Sequence, residues 1–221
     1  MTRIYWIIAL LLFVASIALP AWLYPGLPDQ IPTHWNIKGQ VDGYGGKWTL
    51  FLFPAMTVPL LLLFYFLPAL SPRNFEVDAF RSTYLYIMDV VLGLFAYMQA
   101  VLLYTVYHAV HGDNSFDIGR AFFAGIFLFF AMMGNVMGKV RKNFYIGIRV
   151  PWTLASDRVW NDTHRLGAWV MTAAGVIGFV LTLLNVPIWV SFGLLVGSMV
   201  ILLVYSFLRY KTLERAGQLE S

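Results

Sequence analysis

Arginine, tryptophan, asparagine and histidine crowd into one polar stretch, Lys139 to Trp169, where Arg149, Trp152, Arg158, Trp160, Asn161, His164 and Arg165 all fall. Guanidinium groups offer planar forks of donors, indoles a flat face with a single donor, and imidazole a donor and an acceptor. Such a set can form a binding site. It can also anchor a chain at a bilayer surface, with tryptophan rings at headgroup depth and arginines reaching phosphates. Residue types alone slightly favour the anchor, and His164 by itself reads as a hydrogen-bonded structural residue.

Other arrangements with chemical potential are weaker. His108-x-x-His111-x-Asp113 places nitrogen and oxygen donors at helical spacing, but a histidine pair at a helix end is poor evidence for zinc without a further fixed ligand. His34 and His164 fall on opposite faces in the topology derived below, so they cannot share a metal or a proton relay. No glycine-rich phosphate loop, GxSxG or HExxH is present. With no cysteine, thiol redox chemistry, disulfides and thiolate metal sites are excluded. The expectation is no enzyme, no metal and no cofactor.

The elements that must position the polar stretch follow from its local pattern. Ile146, Ile148 and Val150 alternate with Gly147, Arg149 and Pro151, which predicts an extended piece, and Pro151 disfavours a helical Val150. Ser156 is then a suitable N-cap, with Asp157 in the first turn of a helix running to Arg165. Trp160 and His164 share one face of that helix; Asp157, Asn161 and Arg165 form a second line. The helix is expected to lie along the inner interface before turning into the next span.

The 221 residues are 60% hydrophobic and only 12% charged, against about 25% charged in an average soluble domain. Six apolar runs approach the length that crosses a bilayer, at about 4–24, 49–70, 84–107, 119–138, 166–185 and 187–208. The first is too long for a signal-peptide core and reads as a retained helix. Continuous apolar runs without alternation predict helices, giving an all-α polytopic membrane protein, a bundle of six transmembrane helices. Asn185 and Pro187 predict a tight turn between the last two spans. Of 15 Lys and Arg residues, 12 then fall on one face and 3 on the other. The positive-inside rule puts both termini and the Lys139 to Trp169 loop in the cytoplasm. The net charge of +4 is read as this bias, with no direct nucleic-acid partner. Three units are expected: 1–70, two helices with an external loop over 25–48; 71–118, the third helix and its connections; and 119–221, three helices with the cytoplasmic loop 139–165.

The external loop carries Pro25, Pro28 and Pro32 and five glycines, which predicts turns rather than a long helix. It is either a capped connection or a surface that contacts a ligand. Within the spans the polar residues are Asp89, Gln99 and Asn135. Asp89 is expected to face the bundle or the cytoplasmic interface. Gly134 and Gly138 form a small-xxx-small surface suited to internal helix packing.

The run Ile146-Gly147-Ile148-Arg149-Val150-Pro151-Trp152-Thr153-Leu154, followed by Trp160 and Thr163-His164-Arg165, resembles the signature of the SdpI family of bacterial membrane immunity proteins. The external loop, with Leu27-Pro28-Asp29-Gln30-Ile31-Pro32-Thr33-His34-Trp35-Asn36, then Gly39, Asp42 and Lys47, resembles a domain of unknown function that heads longer family members. The resemblance implies a six-helix protein of the bacterial plasma membrane that gives resistance to a secreted antimicrobial toxin peptide. It also implies a receptor role in which a winged-helix repressor is held at the membrane. It marks Arg149, Pro151, Trp152, Thr153, Leu154, Trp160 and His164 inside, to which Asn161 and Arg165 are added here. Outside it marks Pro28, Pro32, His34, Trp35, Gly39, Asp42 and Lys47. Two other classes stay open, a small transporter or channel and an intramembrane enzyme.

Overall fold

The computed structural model describes residues 2–36, 40–72, 75–113 and 115–219. Its long helices are α1 Thr2–Leu23, α2 Leu52–Leu70, α3 Arg81–Val110, α4 Ile118–Met137, α6 Asp157–Leu183 and α7 Ile188–Arg215, with a short α5 at Pro151–Ala155. The six long helices are each long and apolar enough to cross a membrane. The chain is thus a multi-pass, mostly helical membrane protein. At about 1.5 Å per residue, the 20 residues of α4 match the roughly 30 Å hydrocarbon layer. Exposed Trp22, Trp48 and Trp189 lie near the hairpin-side ends of α1, α2 and α7, where an interfacial aromatic belt belongs.

The tightest helix pair is α4 against α6. A Cβ on Gly134 would come 2.5 Å from the Thr172 nitrogen, and one on Gly178 would come 2.6 Å from Cδ1 of Phe127. Gly175 likewise faces the Ala131 backbone. Small residues let the two backbones touch, the use expected for Gly134. Gly138 has more room, with Ala168 Cβ at 3.7 Å. The turn after α6 forms where expected: Asn185 adopts φ 58° and Pro187 precedes α7. Arg120 reaches across from α4 to donate to the carbonyls of Thr182 (3.0 Å) and Val186 (3.3 Å), fixing that turn.

Three expectations need correction. The external loop is not only turns: β1 Gln30–Trp35 and β2 Val41–Gly46 pair antiparallel as a hairpin with an irregular register at His34. The segment before the fifth span is not extended throughout, because Pro151 starts the helical turn α5. The predicted interfacial helix does not turn into the fifth span but is the beginning of it, since α6 runs unbroken from Asp157. With Ser156 as its cap and no glycine before Gly167, nothing in 157–166 breaks the helix.

Candidate functional site: two ends of the bundle

The polar segment folds around a few fully buried side chains. Asn143 uses its whole amide on local backbone: Nδ2 donates to the carbonyls of Arg141 (2.8 Å) and Ile146 (3.0 Å). Its Oδ1 accepts from the N–H groups of Tyr145 and Ile146, both at 2.7 Å. Two donors and two lone pairs are all an asparagine amide has, so Asn143 is saturated as the centre of this turn. The Tyr145 hydroxyl then donates to the Leu70 carbonyl (2.8 Å), tying the turn to the end of α2.

Next comes Gly147 at φ 114°, a conformation that disfavours any side chain. A Cβ there would also overlap Nε2 of His164. This close approach lets the Ile148 N–H donate to His164 Nε2 (3.0 Å), while Nδ1 lies 2.8 Å from the Trp160 carbonyl. A backbone N–H only donates and a carbonyl only accepts, so the ring proton sits on Nδ1. The imidazole stacks on Trp160 with centroids 4.0 Å apart, and Trp160 Nε1 donates to the Val140 carbonyl (2.8 Å). His164 is 1% exposed with both nitrogens occupied, which leaves neither for a ligand or a proton transfer.

Pro151 occupies the first helical position of α5, where its missing N–H costs nothing. Buried Thr153 accepts from the Val150 N–H (3.0 Å), with its hydroxyl 2.7 Å from the Ile148 carbonyl. Trp152 Nε1 donates to Ser206 Oγ of α7 (2.7 Å), and its ring meets Phe207 edge-on at 5.3 Å. Leu154 packs on the core cluster that holds Trp160. Ser156 caps α6 by accepting from the Val159 N–H (3.3 Å), as its position predicts.

The structure therefore brings Pro151, Trp152, Thr153, Leu154, Trp160 and His164 together as one folded unit, and leaves Arg149, Asn161 and Arg165 exposed. Arg149 donates to the Phe144 carbonyl, and Lys142 pairs with Asp157. Sequence reasoning passed over Asn143 and Ser206. Asn143 carried a usable signal, a single amide opening an otherwise apolar run. Ser206 carried none, since its partner Trp152 is 54 residues away. Two cavities open beside this unit. One, of about 700 Å³, is lined by Phe75, Glu76, Arg141, Lys142, Asp157 and Asn161 among others. Its neighbour, of about 470 Å³, lies between the start of α3 and the end of α4.

At the opposite end, Lys47 closes the base of the hairpin, donating to the Leu27 carbonyl (3.2 Å) and pairing with Asp29 (3.2 Å). Ile31 is fully buried against Leu27, Leu50, Leu103 and Val106, so it anchors the hairpin on α3. Pro32 lies in β1 opposite Tyr44, and Pro28 is exposed. His34 and Asp42 pair across the strands at 2.5 Å, on the surface. Gly39 lies outside the described residues. Nearby, two hydrogen bonds from Ser115 hold the Asp113 carboxyl below its ordinary range, and His108 faces it at 3.3 Å. Beneath the hairpin is an apolar cavity of about 930 Å³, lined by Ile31 to Asn36, by Leu50 and Phe53, by Arg120 and Phe123, and by Ile188, Trp189 and Phe192.

The intramembrane polar residues do not converge. Gln99 is buried and donates to the Leu50 carbonyl (3.1 Å). Asn135 is exposed on α4. Both carboxylate oxygens of Asp89 are buried without a hydrogen-bond partner among the described residues, and Arg81 pairs with Asp78 instead (2.8 Å).

Comparison with known proteins matches both ends of the chain. Residues 11–58 match the Domain of unknown function DUF1648, and residues 139–206 match the SdpI/YfhL protein family. Immunity protein SdpI of Bacillus subtilis (strain 168) is 29% identical over 176 residues, covering 80% of this chain and 78% of that protein. No solved structure matches. The network built on Gly147, Trp152, Thr153, Trp160 and His164 thus lies inside the segment, 139–206, that matches the SdpI/YfhL family, and the hairpin lies inside the segment, 11–58, that matches DUF1648.

Proposed function

We propose that this protein is an immunity protein of the bacterial plasma membrane, giving resistance to a secreted toxin peptide. The observation that carries the reading is the cavity beneath the hairpin. Ile31 to Asn36 come from the segment matching DUF1648, and Ile188, Trp189 and Phe192 from the segment matching the SdpI/YfhL family. An apolar peptide arriving from outside meets the surface where the two matching segments join. The similarity to the Bacillus immunity protein over most of both chains supports the same role.

In this reading the termini and the 139–165 loop are cytoplasmic, as the distribution of Lys and Arg supports. The exposed Arg149, Asn161 and Arg165 are then the residues available to a cytoplasmic partner, such as a winged-helix repressor held at the membrane. Asp89, Gln99 and Asn135 line none of the three cavities described above, which argues against a conducting path. The burial of His164 argues against a catalytic role for it.

The reading is tested by binding and by orientation. Purified protein in lipid nanodiscs should retain the labelled toxic peptide against which the Bacillus immunity protein protects, and Trp189→Ala should weaken that retention. Equal retention by nanodiscs without the protein would sink it. Because the chain has no cysteine, a single cysteine at Thr33 or at Arg158 reports sidedness cleanly. An impermeant maleimide on intact cells should label the first and not the second.

A further inference from the structure

We propose that the smaller inner cavity, between the start of α3 and the end of α4, binds the phosphate of an anionic lipid headgroup. Three cations line it: Lys139, Arg141 and Arg165. None has a hydrogen bond or ion pair through its side chain among the described residues, and no carboxylate lines the cavity. The adjoining cavity is different, because there Lys142 is neutralised by Asp157 and Glu76 stands nearby.

The remaining lining adds donors rather than acceptors of charge. Ser82 and Thr83 present hydroxyls from the first turn of α3, and Asn161 an amide from α6. No side chain caps the N-terminus of α3, whose dipole adds partial positive charge on the same side. Three like charges around one opening repel each other unless an anion sits among them. Their depth selects the anion. The 20 residues of α4, mostly apolar, match the hydrocarbon thickness and end at Met137, so Lys139 and Arg141 follow within about a turn, at headgroup level. Basic pockets between membrane helices at this level are suited to lipid phosphates. The inference does not depend on the immunity reading.

The test uses the full-length protein, delipidated in detergent and titrated with phosphatidylglycerol or phosphatidylethanolamine while bound lipid is counted by native mass spectrometry. Each basic residue near a lipid phosphate contributes roughly a fivefold factor, so the variant K139Q/R141Q/R165Q should lose roughly 100-fold in phosphatidylglycerol affinity. The variant R3Q/R158Q/R215Q, with the same change in net charge, should bind as the wild type does. Should the first variant fail to fold, R165Q alone provides the comparison, with a loss of about fivefold. Equal losses in both variants would overturn the proposal, as would no preference for phosphatidylglycerol. Displacement by inorganic phosphate at the lipid's own concentration would also overturn it, by showing a site for free anion. Wild-type protein that retains no lipid would do so too, and would assign the three cations to a soluble acidic partner.

Discussion

The two ends of the bundle handle polarity in opposite ways. Around Asn143, Gly147 and His164, buried polar groups are used on the chain's own backbone, and the result is a rigid knot that holds α5 on α7 and the preceding loop on α6. At the hairpin end the polar residues of the motif stay at the surface, as His34 and Asp42 do, and apolar side chains surround an open volume. A motif dense in Arg, Trp and His is therefore not by itself a binding site. Here most of its side chains build the loop, and the large apolar cavity lies at the other end.

The sharpest way to break this contrast is Gly147→Ala. A side chain at φ 114° that also overlaps His164 should cost about 3 kcal/mol or more, read as a fall in thermal unfolding midpoint of the purified protein. An unchanged midpoint would show that the knot is loose. Asn143→Ala should follow, at about 2 to 3 kcal/mol, because it strands several buried backbone groups at once. Asn143→Asp should be nearly as harmful, since it keeps the acceptor oxygen and loses both donors. Trp152→Phe keeps a ring against Phe207 but loses the bond to Ser206 and part of the indole's contact area, for about 1 to 2 kcal/mol.

The smallest effect is expected at a residue outside both ends. Asp89→Asn should change stability by less than about 0.5 kcal/mol or raise it, because no hydrogen bond is lost and a buried carboxyl is replaced by a neutral group. A large loss of stability would reveal a partner for Asp89 and reopen a role for it inside the membrane.

Much of this architecture is legible in the chain because its causes are local. Apolar length marks the six spans, Ser156 announces α6, Asn185 and Pro187 announce the last turn, and four-residue spacing puts Trp160 under His164. What escaped depends on distant partners. The hairpin forms because Ile31 finds a pocket on α3, and its register is irregular where His34 meets Gly43. Asn143 matters only because residues 141 to 146 wrap around it. The inner-loop residues are marked by resemblance to a family motif, and a motif cannot distinguish an indole aimed at a ligand from one aimed at Val140 or Ser206.

Protection against the toxic peptide is read out as survival. A sensitive bacterium expressing the chain would be challenged with the toxic peptide beside cells carrying the empty vector, Trp189→Ala or Arg149→Ala. Wild-type cells should survive, and both variants, inserted at wild-type levels, should lose protection. Wild-type cells dying as readily as vector cells, with the protein verified in the membrane, would contradict the immunity reading.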